Sequence, residues 1–558
     1  MGEVFGEAPN VAARVQSAAE PGTVLVTATV RRQVARLFIV EDRGPHELKG
    51  VPGAPILYRI ARVSGGGRRA GARAYTQLIG REDDLGVLLK RWERARAGEG
   101  QFVQIVGEPG LGKSRLVEEF RGRLVEAPHS WVEWTASQLL QNTALTPLTE
   151  WGRQRFGADA AAERRLAELE SSLMQVKLDP AEFAPLLAPL LDIPVESAAA
   201  PELTPAEMRR RQLAAMAAWI LAGARAQPLV LAFEDLHWAD PTSLDLLKML
   251  AERGATAPLM IVATARPEFR APWATRSHHG VISLVPLDRG QVGQMVGAIA
   301  ERHAFSADAI EGVAVRTGGV PLFIEEVTRL MLEGGDHTIP ATLQQSLAAR
   351  LDRLGEAREI AQMGAVVGRE FTYRLLQAIT ALPEFELNAA LEKLIDADLL
   401  FVDGIAPASS YRFKHALIQE AAYESMLRSR RRDIHAEIAS SLARLQPAIV
   451  ETAPETLATH LERAGDAAGA AEYWQRAGQL AQRNSAYREA IGAYQNALRH
   501  MSKQGRLFVD VNRAIASTYF AVGDHELNLK HLEDAAAAAE ASDSGRPASS
   551  RNGQPPRG

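Results

Sequence analysis

The stretch "GEPGLGKS" (residues 107–114) places three glycines, a lysine and a serine at the spacing G-x-x-x-x-G-K-[ST]. That spacing suits phosphate chemistry. Gly107, Gly110 and Gly112 free the backbone to wrap an anion, so that N–H groups from Glu108, Pro109-flanked Gly110, Leu111 and Arg115 converge near a helix N-terminus. Lys113 reaches the β- and γ-phosphates of a nucleotide, and the Ser114 hydroxyl is a ligand for Mg²⁺. A second acidic site must then complete the metal's surroundings, and "LVLAFEDLHWAD" provides one in Glu234 and Asp235. One carboxylate of the pair can hold Mg²⁺ through water and the other can orient or deprotonate the attacking water; Glu234 is assigned to the metal with Ser114, and Glu234 and Asp235 both to catalysis. His237 and Trp238 suit phosphate sensing and plain packing equally. Asp240-Pro241 is an N-cap followed by proline in the first helical turn. "MIVATARPEF" ends a third apolar run with Thr264 and Arg266, placing a guanidinium where it can meet a γ-phosphate.

The elements around these residues must put them at one edge of a sheet. "QFVQIVG", "PLVLAFED" and "PLMIVATARP" are continuous apolar runs, as expected of buried parallel strands, each followed by a loop and a helical pattern. The ligand crevice of such a sheet lies outside its carboxyl edge. Residues 77–270 are therefore read as a three-layer α/β P-loop core. Ahead of it, residues 1–62 form an α+β segment and 63–76 a Gly/Arg/Ala linker. After it come a helical region, 271–338, and a second, 339–445. The patch "DLLFVDGIAPASSYRFKH" within the latter has the pattern of a winged-helix hairpin. Residues 446–541 are Ala-rich helices with a ragged repeat: Gly465-Asp466, Ala486-Tyr487 and Gly523-Asp524 each precede a helix with small residues and aromatics at its crossings. That pattern is expected of tetratricopeptide-like pairs forming an α-solenoid. Residues 542–558 are read as a disordered tail.

Composition narrows the chemistry. The 558 residues contain no Cys, which excludes thiol catalysis, Cys-ligated zinc and iron–sulfur clusters. The net charge of −5 gives no basic field for nucleic acid, although "RSRRR" (428–432) keeps a winged-helix transcription regulator among the alternatives. No apolar run reaches the length of a membrane span, and a cytoplasmic location is expected.

From "LIGREDDLGVLLKRW" through the P-loop, "FEDLHWAD", "ARPEF", "TGGVPLFIEEV" and "YRFKHALIQEAAYESML" to the repeats, this series in this order resembles the STAND signal-transduction ATPases, relatives of AAA+ proteins. It is similar in particular to the ATPase modules fused behind class III nucleotide cyclases, as in soluble adenylyl cyclase-like proteins. The resemblance implies ATP and ADP as ligands with Mg²⁺. It puts Gly80 and Arg81 near the adenine, has Gly319 and Pro321 line the nucleotide from a helical lid, and brings His415 of a winged helix to the β-phosphate. It further implies a protein partner for the repeats and leaves oligomerisation open. Glu234 stands where the family often has Asp. The opening "GEVFGEAPNVAARV" resembles the last third of a class III cyclase domain, whose transition-state Asn and Arg match Asn10 and Arg14. Glu3 stands where the purine-contacting acid is expected. Neither metal-binding Asp nor the purine-contacting Lys of that fold is present, so the opening is expected to be a remnant without cyclase activity. The resulting expectation is an ATP-binding regulatory switch with slow hydrolysis. The alternative is the regulatory half of a longer adenylate cyclase.

Overall fold

The computed structural model describes residues 14–19, 23–27, 38–46, 56–63, 77–124, 128–157, 161–194, 204–300, 305–332, 342–380, 382–404, 406–447 and 449–544. Asn10, Glu3 and most of the 63–76 linker lie outside them. The chain divides into two compact units. One comprises residues 1–75 with 347–425, and the other residues 76–346 with 426–558.

In the first unit, β1 (Leu25–Thr27), β3 (Ile56–Val63) and β2 (Phe38–Pro45) form an antiparallel sheet in that order. Leu57 and Val15 are buried together beside it. The later part of the unit is mostly helical and holds a second small sheet.

The second unit contains the parallel sheet. Its strands are β4 (Gln101–Val106), β5 (Ser130–Thr135), β6 (Leu229–Glu234), β7 (Leu259–Ala265) and β8 (His279–Ser283), arranged β5-β6-β7-β4-β8. Every pairing between them is parallel. All seven residues of β7 and the first five of β6 are buried, which is why both read as unbroken apolar runs. The edge strand β8 pairs with β4, so the core's sheet reaches past residue 270, where the sequence reading ended it. Half-exposed and only five residues long, β8 has too little apolar character to stand out. Between β5 and β6 run the helices Thr146–Phe156, Ala162–Gln175, Pro180–Leu187 and Pro205–Ala226. They share one apolar core with β6 and β7, through residues such as Leu187, Met216, Phe233 and Ile261.

Helices Arg289–Ala300, Ala307–Thr317 and Pro321–Leu332 follow β8 and pack around Val296, Val313 and Val327. In the first unit again, β9 (Glu370–Thr372), β10 (Leu400–Asp403) and β11 (Ser410–Phe413) form a small antiparallel sheet among helices. Its β10–β11 hairpin falls within the 398–415 patch singled out from sequence.

The C-terminal helices Pro454–Ala464, Ala467–Arg483, Tyr487–Arg499, Arg506–Ala521 and His525–Ser544 pack each on the next. Gly465, with φ of +88°, ends the first, and Asp466 caps the second by accepting the Gly469 N–H at 2.9 Å. Gly523 and Asp524 repeat the device, Asp524 accepting from Leu527 at 3.1 Å. Where Ala467–Arg483 crosses Tyr487–Arg499, Gly478 lies so close to the Tyr494 ring that a Cβ there would sit 2.5 Å from it. The last helix runs to Ser544, three residues into the segment read as a tail; residues 545–558 lie outside the described ones.

Candidate nucleotide and metal site

Because β7 lies between β4 and β6, the loop leaving β4 and the acids ending β6 flank the end of β7. All three ends meet at the carboxyl edge of the sheet, where α/β folds of this kind place ligands. The loop 107–112 turns from β4 into the helix Lys113–Arg123, whose N-cap is Gly112. Gly110 and Gly112 have φ of +85° and +93°, a region that L side chains avoid. Lys113 Nζ donates to the carbonyls of Gly107 at 2.6 Å and Glu108 at 3.1 Å, so the ammonium lies across the loop. Burial pulls its pKa below the usual lysine range, opposed by the charge of Asp235 and assisted by that of Arg266. The N–H groups in the first turn of an α-helix have no carbonyl partner within the helix, which suits this helix start to an anion. The Arg115 side chain turns along the helix to Glu119 at 3.1 Å.

The Ser114 hydroxyl donates to Glu234 Oε2 at 3.2 Å, across 120 residues of sequence. Two oxygens about 3 Å apart match adjacent corners of the octahedron that Mg²⁺ demands, with metal–oxygen distances of about 2.1 Å. The hydroxyl and carboxylate therefore fit Mg²⁺ by donor type and by separation. Asp235 stands in the left-handed region, φ +60°, and donates its N–H to Thr264 Oγ1 at 2.9 Å. Thr264 thereby fastens the acidic strand end to the neighbouring strand. Arg266, one residue beyond β7, places its guanidinium 5.6 Å from the centre of the Trp238 ring. Burial lowers His237 to about 4, with Asp235 opposing and Arg266 and Lys113 adding to the shift. Its Nδ1 is buried without a hydrogen-bond partner among the described residues. His237, Asp235, Arg266 and Lys113 thus share one electrostatic neighbourhood. Asp240 caps the helix Pro241–Arg253 as expected, accepting from Ser243 N at 2.8 Å.

The region after β8 also reaches this loop. Arg81, 6% exposed, donates to the carbonyls of Gly80, Leu111 and Val285, joining the chain ahead of the core, the P-loop and the strand exit beyond β8. Burial lowers its pKa, opposed by Asp84 and Glu82. Gly80 has φ of +66° and faces the Gln291 side chain. Leu322 N donates to the Gly110 carbonyl at 3.2 Å, so Pro321 begins a helix that rests on the P-loop itself. His415 lies in the other compact unit, at the N-cap of the helix Ala416–Glu424. Arg14 is likewise in that unit, and Asn10 is outside the described residues. The Val285 carbonyl that accepts from Arg81 has no counterpart in the sequence pattern, since a backbone acceptor leaves no residue-type signal.

A parallel sheet with a glycine loop, a lysine–serine pair and a facing acid defines a P-loop nucleoside triphosphatase core, followed by a helical C-terminal region. Residues 77–262 match the AAA ATPase domain family, and residues 3–62 match the family of adenylate and guanylate cyclase catalytic domains. The chain thus carries an AAA ATPase domain behind a segment of a cyclase domain. An uncharacterized protein of Rhizobium meliloti (strain 1021) is 31% identical over 523 residues, covering 89% of this chain. The chain spans half the length of that curated relative, 50%. Among solved structures, a signal transduction ATPase with numerous domains (STAND) and a tetratricopeptide repeat sensor, from Pyrococcus horikoshii, aligns over 84% of this chain and 66% of its own, at 12% identity and TM-score 0.43. A Walker-type ATPase of Pyrococcus abyssi aligns over 62% of this chain and 96% of its own, at 16% identity and TM-score 0.27. Among the described residues, no helix is long and apolar enough to cross a membrane.

Proposed function

We propose that this chain binds ATP with Mg²⁺ at residues 107–114, hydrolyses it slowly, and acts as the nucleotide-dependent switch of a cytoplasmic STAND-type signalling protein. The observation that carries the proposal is the 3.2 Å approach of Ser114 to Glu234 beside a lysine already lying across the loop. When bound, Mg²⁺ supplies positive charge against the phosphate oxygens and lowers the barrier to in-line attack. Ser114 and Glu234 hold it. Lys113 shifts from the loop carbonyls to the β- and γ-phosphates, Asp235 orients the attacking water, and Arg266 meets the γ-phosphate. Gly80, Arg81 and Pro321 border the nucleotide. The resemblance further assigns His415, on a winged helix, to the β-phosphate of ADP. In this reading the helices from Arg289 to Leu332, after the core strand β8, are the lid and 446–541 a tetratricopeptide-like platform for a protein partner.

The test is calorimetric titration of Mg-ATP into the full chain and into Lys113→Ala. Losing a charge-assisted contact is expected to weaken binding at least tenfold, roughly 1.5–3 kcal/mol. Equal affinities overturn the proposal.

The match of residues 3–62 to cyclase domains favours a second reading, in which this chain is the regulatory part of a longer cyclase. The cyclase's metal carboxylates are missing from this sequence, so the chain by itself should make no cyclic nucleotide. Product above a boiled control, lost on Asn10→Ala, would overturn that expectation.

A further inference from the structure

The helix that follows the acidic strand end is capped from two places in the chain. Pro241, in its first turn, has no N–H to satisfy. Ser243 N donates to Asp240 Oδ1 at 2.8 Å and Ser243 Oγ to Asp240 Oδ2 at 2.6 Å. Thr242, between them, turns elsewhere: its N–H and its hydroxyl both donate to Glu489 Oε1, at 2.9 and 2.6 Å, across 247 residues. Glu489 lies on the C-terminal helix Tyr487–Arg499 and is 3% exposed. Asp240 also accepts the Leu145 N–H at 3.0 Å, and Arg209 faces both carboxylates. A second contact of the same kind lies nearby: the Thr143 hydroxyl donates to the buried Glu455 of helix Pro454–Ala464. At the rim, Arg488 stands 3.6 Å from Asp245.

Burying a carboxylate is costly unless its hydrogen bonds are made. Here two are made to the start of a helix whose preceding turn leads straight to the phosphate site. That turn is held by Trp238 N on the Asp235 carbonyl at 2.8 Å and Ala239 N on the Leu236 carbonyl at 3.0 Å. At its upstream end Asp235 is pinned to Thr264. The segment from Asp235 to Thr242 is therefore fixed at one end by the sheet and at the other by Asp240 and Glu489. Losing Glu489 would orphan two buried donors of Thr242 and release that downstream end.

We infer that Glu489 is a positioning residue for Glu234 and Asp235, a carboxylate from the C-terminal helices that completes the cap of the helix Pro241–Arg253 and ties the phosphate site to those helices. The inference rests on the nucleotide-binding reading above. A displacement of the C-terminal helices would then be felt as a loosened acidic strand end.

The experiment uses the full chain and the variants Glu489→Ala, Glu489→Gln and Thr242→Val. Mg-ATP turnover is measured together with hydrogen exchange of the amides 236–246. Glu489→Ala should lower kcat at least fivefold with KM changed less than twofold, and should speed exchange in 236–246 at least tenfold while leaving β4 as it is. The glutamine oxygen can accept both Thr242 donors, so Glu489→Gln should recover most of the loss. Thr242→Val should lower kcat comparably, and combining it with Glu489→Ala should add little. Where turnover is too slow to follow, the readout is the ratio of ATP affinities with and without Mg²⁺, expected to fall at least fivefold in Glu489→Ala. Unchanged kcat or affinity ratio, or an increased kcat, overturns the inference. So does a loss that Gln fails to recover. Should Glu489→Ala not fold, Glu489→Gln and Thr242→Val decide: equal, wild-type turnover in both overturns it. Failure of the wild-type chain to bind Mg-ATP sinks the nucleotide-binding reading itself, a different result from intact binding with an indifferent Glu489.

Discussion

Leu322 donates its backbone N–H to the carbonyl of Gly110 at 3.2 Å, so the first turn of helix Pro321–Leu332 sits on the middle of the P-loop. The turn that delivers it is tight. Leu287 N donates to the Gly319 carbonyl at 2.8 Å, and a Cβ on Gly319, φ +75°, would lie 2.1 Å from the Leu287 carbonyl oxygen. Gly318 is also left-handed, φ +57°, but nothing lies within 4 Å of the Cβ it lacks. The two glycines therefore separate backbone strain from collision. Gly318→Ala should cost about 1 kcal/mol, the left-handed penalty alone. Gly319→Ala must also move the backbone of residue 287 and should cost at least about 2 kcal/mol more, with a severalfold loss of ATP affinity as Leu322 leaves Gly110. Thermal melts and calorimetry of the two variants check this. Equal effects would mean the turn is not tied to the loop.

If the same turn reads the nucleotide, the two nucleotides must be affected differently, because a ligand shifts a two-state equilibrium only by its differential binding. Pro321→Ala should lower ADP affinity relative to that of a non-hydrolysable ATP analogue, and His415→Ala should do so more weakly. Titration of each variant with both ligands gives the ratio. Equal losses for both ligands would remove these residues from the switch.

The phosphate loop, the strand carrying Glu234 and the cap at Asp240 were legible in the sequence for a common reason. Each depends on residues adjacent in the chain: glycines in a turn, a buried run ending in an acid, Asp before Pro. What could not be read depends on distant neighbours. The strand β8 is recognisable only because β4 lies beside it. The role of Thr264 in fixing Asp235 needs β7 to lie beside β6. Glu489 has the appearance of an ordinary surface acid of an amphipathic helix, and only the packing of helices 247 residues from Thr242 buries it. The Gly-Asp pairs at 465–466 and 523–524 were visible because a cap is local. Which helix face those pairs orient inward was not.

The acid at the end of β6 supports a prediction on hydrolysis. Glu234 meets Ser114, while Asp235 has its backbone fixed by Thr264 and its charge beside Lys113. Glu234→Gln keeps the size and the Ser114 contact but removes the charge that a metal needs. It should reduce Mg²⁺-dependent ATP hydrolysis at least tenfold, with binding of metal-free ATP within about threefold of wild type. Single-turnover hydrolysis and calorimetry in chelator are the measurements. Hydrolysis that survives in Glu234→Gln and vanishes in Asp235→Asn would move the metal to Asp235.

Asp240 gives the molecule a pH dependence whose sign can be worked out. Burial lifts its carboxyl to about 6; the hydrogen bonds from Ser243 and Leu145 oppose the shift, and the charge of Glu489 adds to it. Arg209 faces the pair with the opposite charge. An unfolded aspartate titrates near 3.9, so between about pH 4 and 6 the folded state holds a proton that the unfolded state does not. The stabilisation from this group is therefore full below about pH 4 and lost as pH rises through about 6. From pH 5 to 7.5 the loss should be about 1–1.5 kcal/mol. Asp240→Asn keeps an oxygen for the Leu145 and Ser243 N–H groups and cannot titrate. Its stability relative to wild type should thus rise by that amount over the same interval, read from urea midpoints at the two pH values, where all other titrating groups cancel in the difference. Glu489→Gln removes the neighbouring charge and should move the wild-type window to lower pH. A relative stability of Asp240→Asn that stays flat from pH 5 to 7.5 would show that Asp240 is already ionised throughout that range, its charge held by Arg209.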